Sequence, residues 1–194
     1  MEDWLFLAVA VGLSAACGLR VFVPPMMLSG ASVFGGMNVP VQLDWLENPL
    51  VFGALVVATL IEVIGYYIPW VDNALDTVAT PAALAAGVFI THGYMAEVVS
   101  DPFMQWAVAA ILGGGSAGST QLLSSVTRLS STALTGGLGN PVVSTTENAG
   151  SVGMTLLALA APFLALIVVV ALLVFAVRRY RRFRRRRAEA ASTG

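Results

Sequence analysis

Apolar runs interrupted by short polar clusters dominate the chain, and the interruptions repeat a pattern. Asn48–Pro49, Thr80–Pro81, Asp101–Pro102 and Asn140–Pro141 each precede a stretch of apolar or small residues. Proline suits the first helical position, and a preceding Asn, Asp or Thr accepts from the free amides there. These pairs predict five helical zones, roughly 4–28, 50–70, 81–99, 102–134 and 145–177. A bilayer core of about 30 Å needs about 20 helical residues. Zone 50–70 meets that length with one charge, Glu62, and residues 154–177 meet it with none. Zone 81–99 carries His92 and Glu97 near its end.

The first and fourth zones are interrupted. Gly18, Arg20 and Pro24–Pro25 break one apolar run, and Gly113–Gly114–Gly115–Ser116 break the other. Broken or re-entrant helices are expected at both, since irregular backbone at membrane depth survives only inside protein or beside a wet cavity. Gly18/Gly118, Asn48/Asn140 and Pro69/Pro162 are offset by 100, 92 and 93 positions, which overlays two halves, about 4–99 and 102–177. Three crossings between them would make the repeats inverted, an arrangement that points to transporter sites.

Composition sharpens this picture. Hydrophobic residues make up 57% of the 194 positions and charged ones 11%, with a mean hydropathy of +0.83. A soluble domain usually carries about a quarter charged residues, so a water-soluble enzyme is excluded. The net charge of −1 hides an asymmetry. Up to residue 177 the chain carries −8, and from there on +7, because eight of its ten arginines lie between Arg178 and Arg187. Arginine-rich ends stay cytoplasmic. A bacterial inner-membrane protein is therefore expected: an all-α membrane domain over 1–177, its N-terminus outside, and a basic cytoplasmic tail over 178–194 that meets anionic headgroups. Nucleic acid is not an expected partner; a homodimer is. The apolar N-terminus begins with Glu2 and Asp3 rather than positive charge, so it reads as retained.

Only Arg20 and Arg128 remain outside the tail. Arg20 stands beside the first break, where a planar guanidinium suits carboxylate or phosphate groups. Residues 116–135 contain ten Ser or Thr, and helical spacing aligns Gln121, Ser125, Arg128 and Thr132 on one face, with Leu122, Val126 and Leu129 on a neighbouring stripe. Arg20, Arg128, Ser125 and Gln121 are the expected substrate-binding residues. Glu62 lies about 3 Å from the centre of its zone, where an acid must be protonated, paired or wet. A proton-coupling or gating role is expected, with Arg20 as the alternative ion-pair partner. Asp72 and Asp76 share a helical face as secondary candidates; two carboxylates are few for a metal, and Asp72 also suits capping of a short interfacial helix beside Trp70. Ser144–Thr145–Thr146–Glu147 fits a capping box, which leaves Glu147 and Asn148 as further secondary candidates. Neither metal, cofactor nor catalytic residue is expected: His92 is alone, and no phosphate loop or nucleophile–base pair is visible.

GLR at 18–20 with Pro24, EVIGYYIPWVDNALD at 62–76, Thr80–Pro81 with Gly87, and Asn140–Pro141 through STTEN to Pro162 resemble a bacterial multipass membrane family catalogued as domain of unknown function 4126. The resemblance covers most of residues 10–170 and implies architecture rather than activity. Such relatives usually carry a lysine where this chain has Tyr66 and Tyr67, and a second acid where it has Asn148. The expected function is a transporter or channel for a small or lipid-borne anion, with proton coupling. The alternative is a noncatalytic membrane scaffold or assembly factor.

Overall fold

The computed structural model describes residues 2–192, with side chains for all of them except Glu2, Pro69, Trp70, Asn73, Ala176 and those from 179 onward. The described chain is all-α. Its helices are α1 (Glu2–Cys17), α2 (Val23–Gly35), α3 (Pro49–Gly65), α4 (Pro69–Met95), α5 (Pro102–Val108), α6 (Gly115–Thr135), α7 (Asn140–Ala160) and α8 (Pro162–Ser192). A 3-10 turn over Val41–Glu47 precedes α3, and a π-helical segment over Ala109–Gly114 joins α5 to α6.

Helix α1 is the centre, packed against α4, α6, α7 and α8. Small residues let these backbones approach. A Cβ at Gly12 would stand 2.8 Å from the Ala158 Cβ and 3.1 Å from the Ala165 Cβ. Ser14 donates to the Gly87 carbonyl at 2.9 Å. The last carbonyls of a helix lack helical partners, and here neighbours supply them: Thr120 donates to Ala15 at 2.8 Å and Ser151 to Ala16 at 3.1 Å.

Two of the four proline pairs act as expected. Asn48 accepts from the Leu50 amide and Asp101 from the Met104 amide. Thr80–Pro81 does not open a helix, because α4 has already begun at Pro69 and Pro81 lies inside it. Proline there gives up one N–H rung, a loss that neighbouring groups make good in buried apolar helices. Asn140 begins α7 without capping it; its amide is spent elsewhere.

The zones also need correction. The first is broken as expected, with a turn over 18–22 between α1 and α2. The fourth is not, because a π segment absorbs the glycines and helix continues from 102 to 135. Residues 154–177 are not one span: the chain breaks at Ala161, leaving Pro162–Phe175 as a shorter apolar helix. Among the described residues, Ala74–Met95 is the one stretch of helix long and apolar enough to cross a membrane. The 3-10 turn and α3 would add a second if taken as one span bent by 78°. The basic tail is no separate appendage, since α8 runs through it. Arg178 is exposed; the other arginine side chains of that segment, with Tyr180 and Phe183, lie outside the described residues, as does Trp70.

Around an apolar core that includes Leu13, Leu28 and Met154, several charges lie inside while many large apolar side chains lie outside. Leu50, Leu60, Ile61 and Ile64 of α3, and Leu122, Val126 and Leu129 of α6, are exposed, whereas Arg20, Glu62, Asp72, Arg128 and Glu147 are buried.

Candidate functional site

All of these buried charges except Glu62 meet in one cluster. Helix α7 brings Ser144, Glu147, Asn148 and Ser151 to one face through spacings of three, four and seven. Helix α6 does the same with Thr120, Gln121, Ser124 and Arg128, all buried. The α1–α2 break delivers Arg20, α4 delivers Asp72 and Asp76, and Tyr66 follows the end of α3.

Glu147 is the hub. Its Oε2 lies 3.3 Å from Nη2 of Arg20 and also accepts from Nη2 of Arg128. Its Oε1 accepts from Nε of Arg128 at 3.1 Å and from the Ser124 hydroxyl. Arg128 thus grips the carboxylate with a planar fork, and its Nη1 holds Asp72. Asp76 is more distant, its Oδ1 3.9 Å from Nε of Arg128, and that buried oxygen makes no hydrogen bond. The other Asp72 oxygen accepts from the Asn140 amide at 2.9 Å. Arg20 is 1% exposed; it also donates to Asn148, to the Ser144 hydroxyl at 2.6 Å and to the Ser144 carbonyl at 3.2 Å.

Tyr66 completes the core of the cluster. Both guanidinium carbons lie over its ring, Arg20 at 4.0 Å and Arg128 at 4.1 Å from the centroid. Desolvated cations gain from the negative ring face, so one aromatic side chain serves both arginines.

Glu62 stands apart from the ion pairs. It accepts from the Val21 and Phe22 amides at 2.8 and 3.1 Å, across the chain break. Both amides precede Val23, the first residue of α2, so Glu62 of α3 satisfies the backbone of the break itself. It makes no ion pair with Arg20 within 4.0 Å; Arg20 turns to Glu147 instead. Nor does Glu62 sit mid-helix, since α3 ends at Gly65.

Other expectations move with the geometry. Asp72 caps no short helix: it occupies the first turn of a 27-residue one and faces Arg128. Ser144 and Glu147 form no capping box, because α7 starts at Asn140 and both lie within it. Gln121 is buried and Ser125 half-buried, yet among the described residues no hydrogen bond ties either to the arginines or carboxylates. Ser124 takes the place given to Ser125, one step around the helix. Tyr66, Ser124, Ser144 and Asn140 were missed. The signal for α7 was present as a polar stripe at 140, 144, 147, 148, 151 and 155, facing inward while Val142, Val152 and Leu156 face out.

A half-open cleft of about 250 Å³ reaches the hub from outside. Glu147, Ser124 and Thr120 line its polar part, and Leu19, Leu123 and Leu172 belong to its apolar walls. Glu147 is the one ionisable group on that lining. His92 lies elsewhere, stacked on Trp106 with ring centroids 4.0 Å apart.

A family model described as "Domain of unknown function (DUF4126)" matches residues 7–182. The chain belongs to the DUF4126 family. Every charged residue of the cluster falls within the matched range. Comparison with curated proteins and with solved structures returned no match. The family description carries no activity, so chemistry must come from the cluster itself.

Proposed function

We propose that this DUF4126 protein is a polytopic membrane carrier for a small or lipid-borne anion, coupled to protons through Glu147. The observation that carries the reading is the convergence of two buried arginines on one carboxylate that also lines an open cleft. Glu147 occupies the place that a substrate anion would take. Protonation removes its charge and its hold on Arg20 and Arg128, and the cleft gives the side chain room to turn away. An arriving anion then restores the charge that the proton cancelled, so the exchange leaves the cluster's net charge unchanged. That balance matters where an unpaired buried charge costs several kcal/mol.

The burial of charges beneath exposed apolar side chains supports the membrane assignment, and the arginine-rich segment 178–187 supports a cytoplasmic C-terminus. In both halves the third helix begins at an Asn-Pro pair and the fourth is opened by proline, whereas the second helix is shorter than the first in one half and longer in the other. Those shared starts support related halves. Glu62 acts here as the latch of the chain break rather than as the coupling group.

The test is pH-driven flux of a small carboxylate, acetate, into liposomes holding the purified protein. Arg20→Ala should reduce it to the level of protein-free liposomes, which neutral acetic acid crosses unaided, and Glu147→Gln, which mimics the protonated state, should leave protein-dependent flux that no longer responds to pH. Unchanged pH-coupled flux in both variants refutes the reading. A scaffold role is favoured by a different observation: Arg20 and Arg128 are already engaged by the chain's own groups. On that reading the wild type carries no flux above that of protein-free liposomes.

A further inference from the structure

Proton exchange at Glu147 uses the cleft only as space, yet the cleft has a chemical character of its own. Leu19, Leu123, Val143, Met154 and Leu172 line it beside Glu147, Ser124 and three threonines. It opens between α6, α7 and α8, where Thr127 and Thr146 of the lining are exposed. A hydrated inorganic anion gains nothing from apolar walls, whereas a hydrocarbon chain leaves water or lipid for them at no polar cost.

We infer that the cleft holds the chain of a single-chain long carboxylate whose head takes Glu147's place on Arg20 and Arg128. The inference rests on the exchange proposed above and names its substrate class. Three observations select this occupant. The group now on the arginines is itself a carboxylate, held by a two-pronged contact from Arg128. The cleft, at about 250 Å³, has room for one chain segment. Glu147, whose place the head takes, shares its lining with the apolar residues of the cleft.

The probe is hexadecanoic acid carrying a diazirine at mid-chain, added to the full-length protein in phosphatidylcholine nanodiscs. Photolabelling should concentrate on Leu123, Val143, Met154 or Leu172 and be displaced by unlabelled hexadecanoate. Val143→Trp, which fills the cleft, should remove most of the label, and Thr127→Trp at the exposed rim repeats the test if Val143→Trp does not fold. Leu129→Trp, exposed and outside the cleft lining, should leave labelling intact. Arg20→Ala should weaken apparent affinity by about tenfold or more, as expected for a lost charge-assisted contact. Label spread equally over Leu60 and Ile61 of α3, or undiminished in folded Val143→Trp and Arg20→Ala, overturns the inference. Should acetate flux respond to Glu147→Gln while cleft labelling fails, the cleft occupant is wrong and the exchange stands. Should labelling succeed without any pH-coupled flux, the exchange is wrong and the cleft site stands as a binding site.

Discussion

Replacing Glu147 by Gln removes, among the described residues, the only carboxylate within 4.0 Å of Arg20 and one of the two strong partners of Arg128. The two arginines do not suffer equally. Arg128 keeps Asp72, with Asp76 at 3.9 Å, whereas Arg20 keeps only the neutral groups of Asn148 and Ser144 and the ring of Tyr66. Breaking a buried pair from one side costs about 3–5 kcal/mol, because the remaining charge stays buried. For a chain of this size each kcal/mol moves the melting temperature by about 2–4 °C, so Glu147→Gln should melt roughly 6–20 °C lower. Arg20→Gln should cost a similar amount. The double variant should recover part of the loss, because each single change strands the other's charge; contacting pairs couple by about 0.5–3 kcal/mol. Thermal unfolding in detergent, followed by tryptophan fluorescence for all four proteins, reads the cycle. Additive shifts, or a Glu147→Gln shift under about 2 °C, would refute the claim that Arg20 depends on Glu147.

Glu62→Ala leaves the Val21 and Phe22 amides without their acceptor, at about 1–3 kcal/mol for each unsatisfied group; hydrogen exchange should accelerate at these two amides, and Glu62→Gln, which keeps one acceptor oxygen, should show a smaller change. Tyr66→Phe should melt close to wild type, since the ring faces remain, whereas Tyr66→Leu loses both cation contacts at about 0.5–2 kcal/mol each. Gly12→Leu should prevent folding, because the first side-chain atom already meets Ala158 at 2.8 Å; Gly12→Ala should cost about 1–3 kcal/mol through overpacking, read as a lower melting temperature.

The broken first zone was legible because Gly18, Arg20 and two prolines lie together in an otherwise apolar run, and no other local structure suits them. The fourth zone misled for an instructive reason. Three glycines read as a break, yet at Gly113 they admit a helix neighbour: its added Cβ would collide with α4 at Gly87 and Thr91. Close packing, rather than flexibility, is what Gly113 provides. Pro81 misled in the opposite direction, since a proline tolerated inside a long helix looks in sequence like one that starts it.

The primary structure alone establishes an apolar, helical chain with charge depleted everywhere except a basic end, and it isolates Arg20 and Arg128 by scarcity. Those properties follow from composition and local periodicity, which are additive along the chain. Partner choice is not additive. Sequence alone offers Glu62 as a coupling group, or else as a partner of Arg20, and Glu147 as a capping residue for its own helix. Packing reverses both: Glu62 reaches amides 40 and 41 residues away, and Glu147 takes arginines 19 and 127 residues away. Which acid meets which base depends on how α1, α4, α6 and α7 cross, and Gly12, Gly87 and Ala158 govern that crossing without carrying any charge themselves.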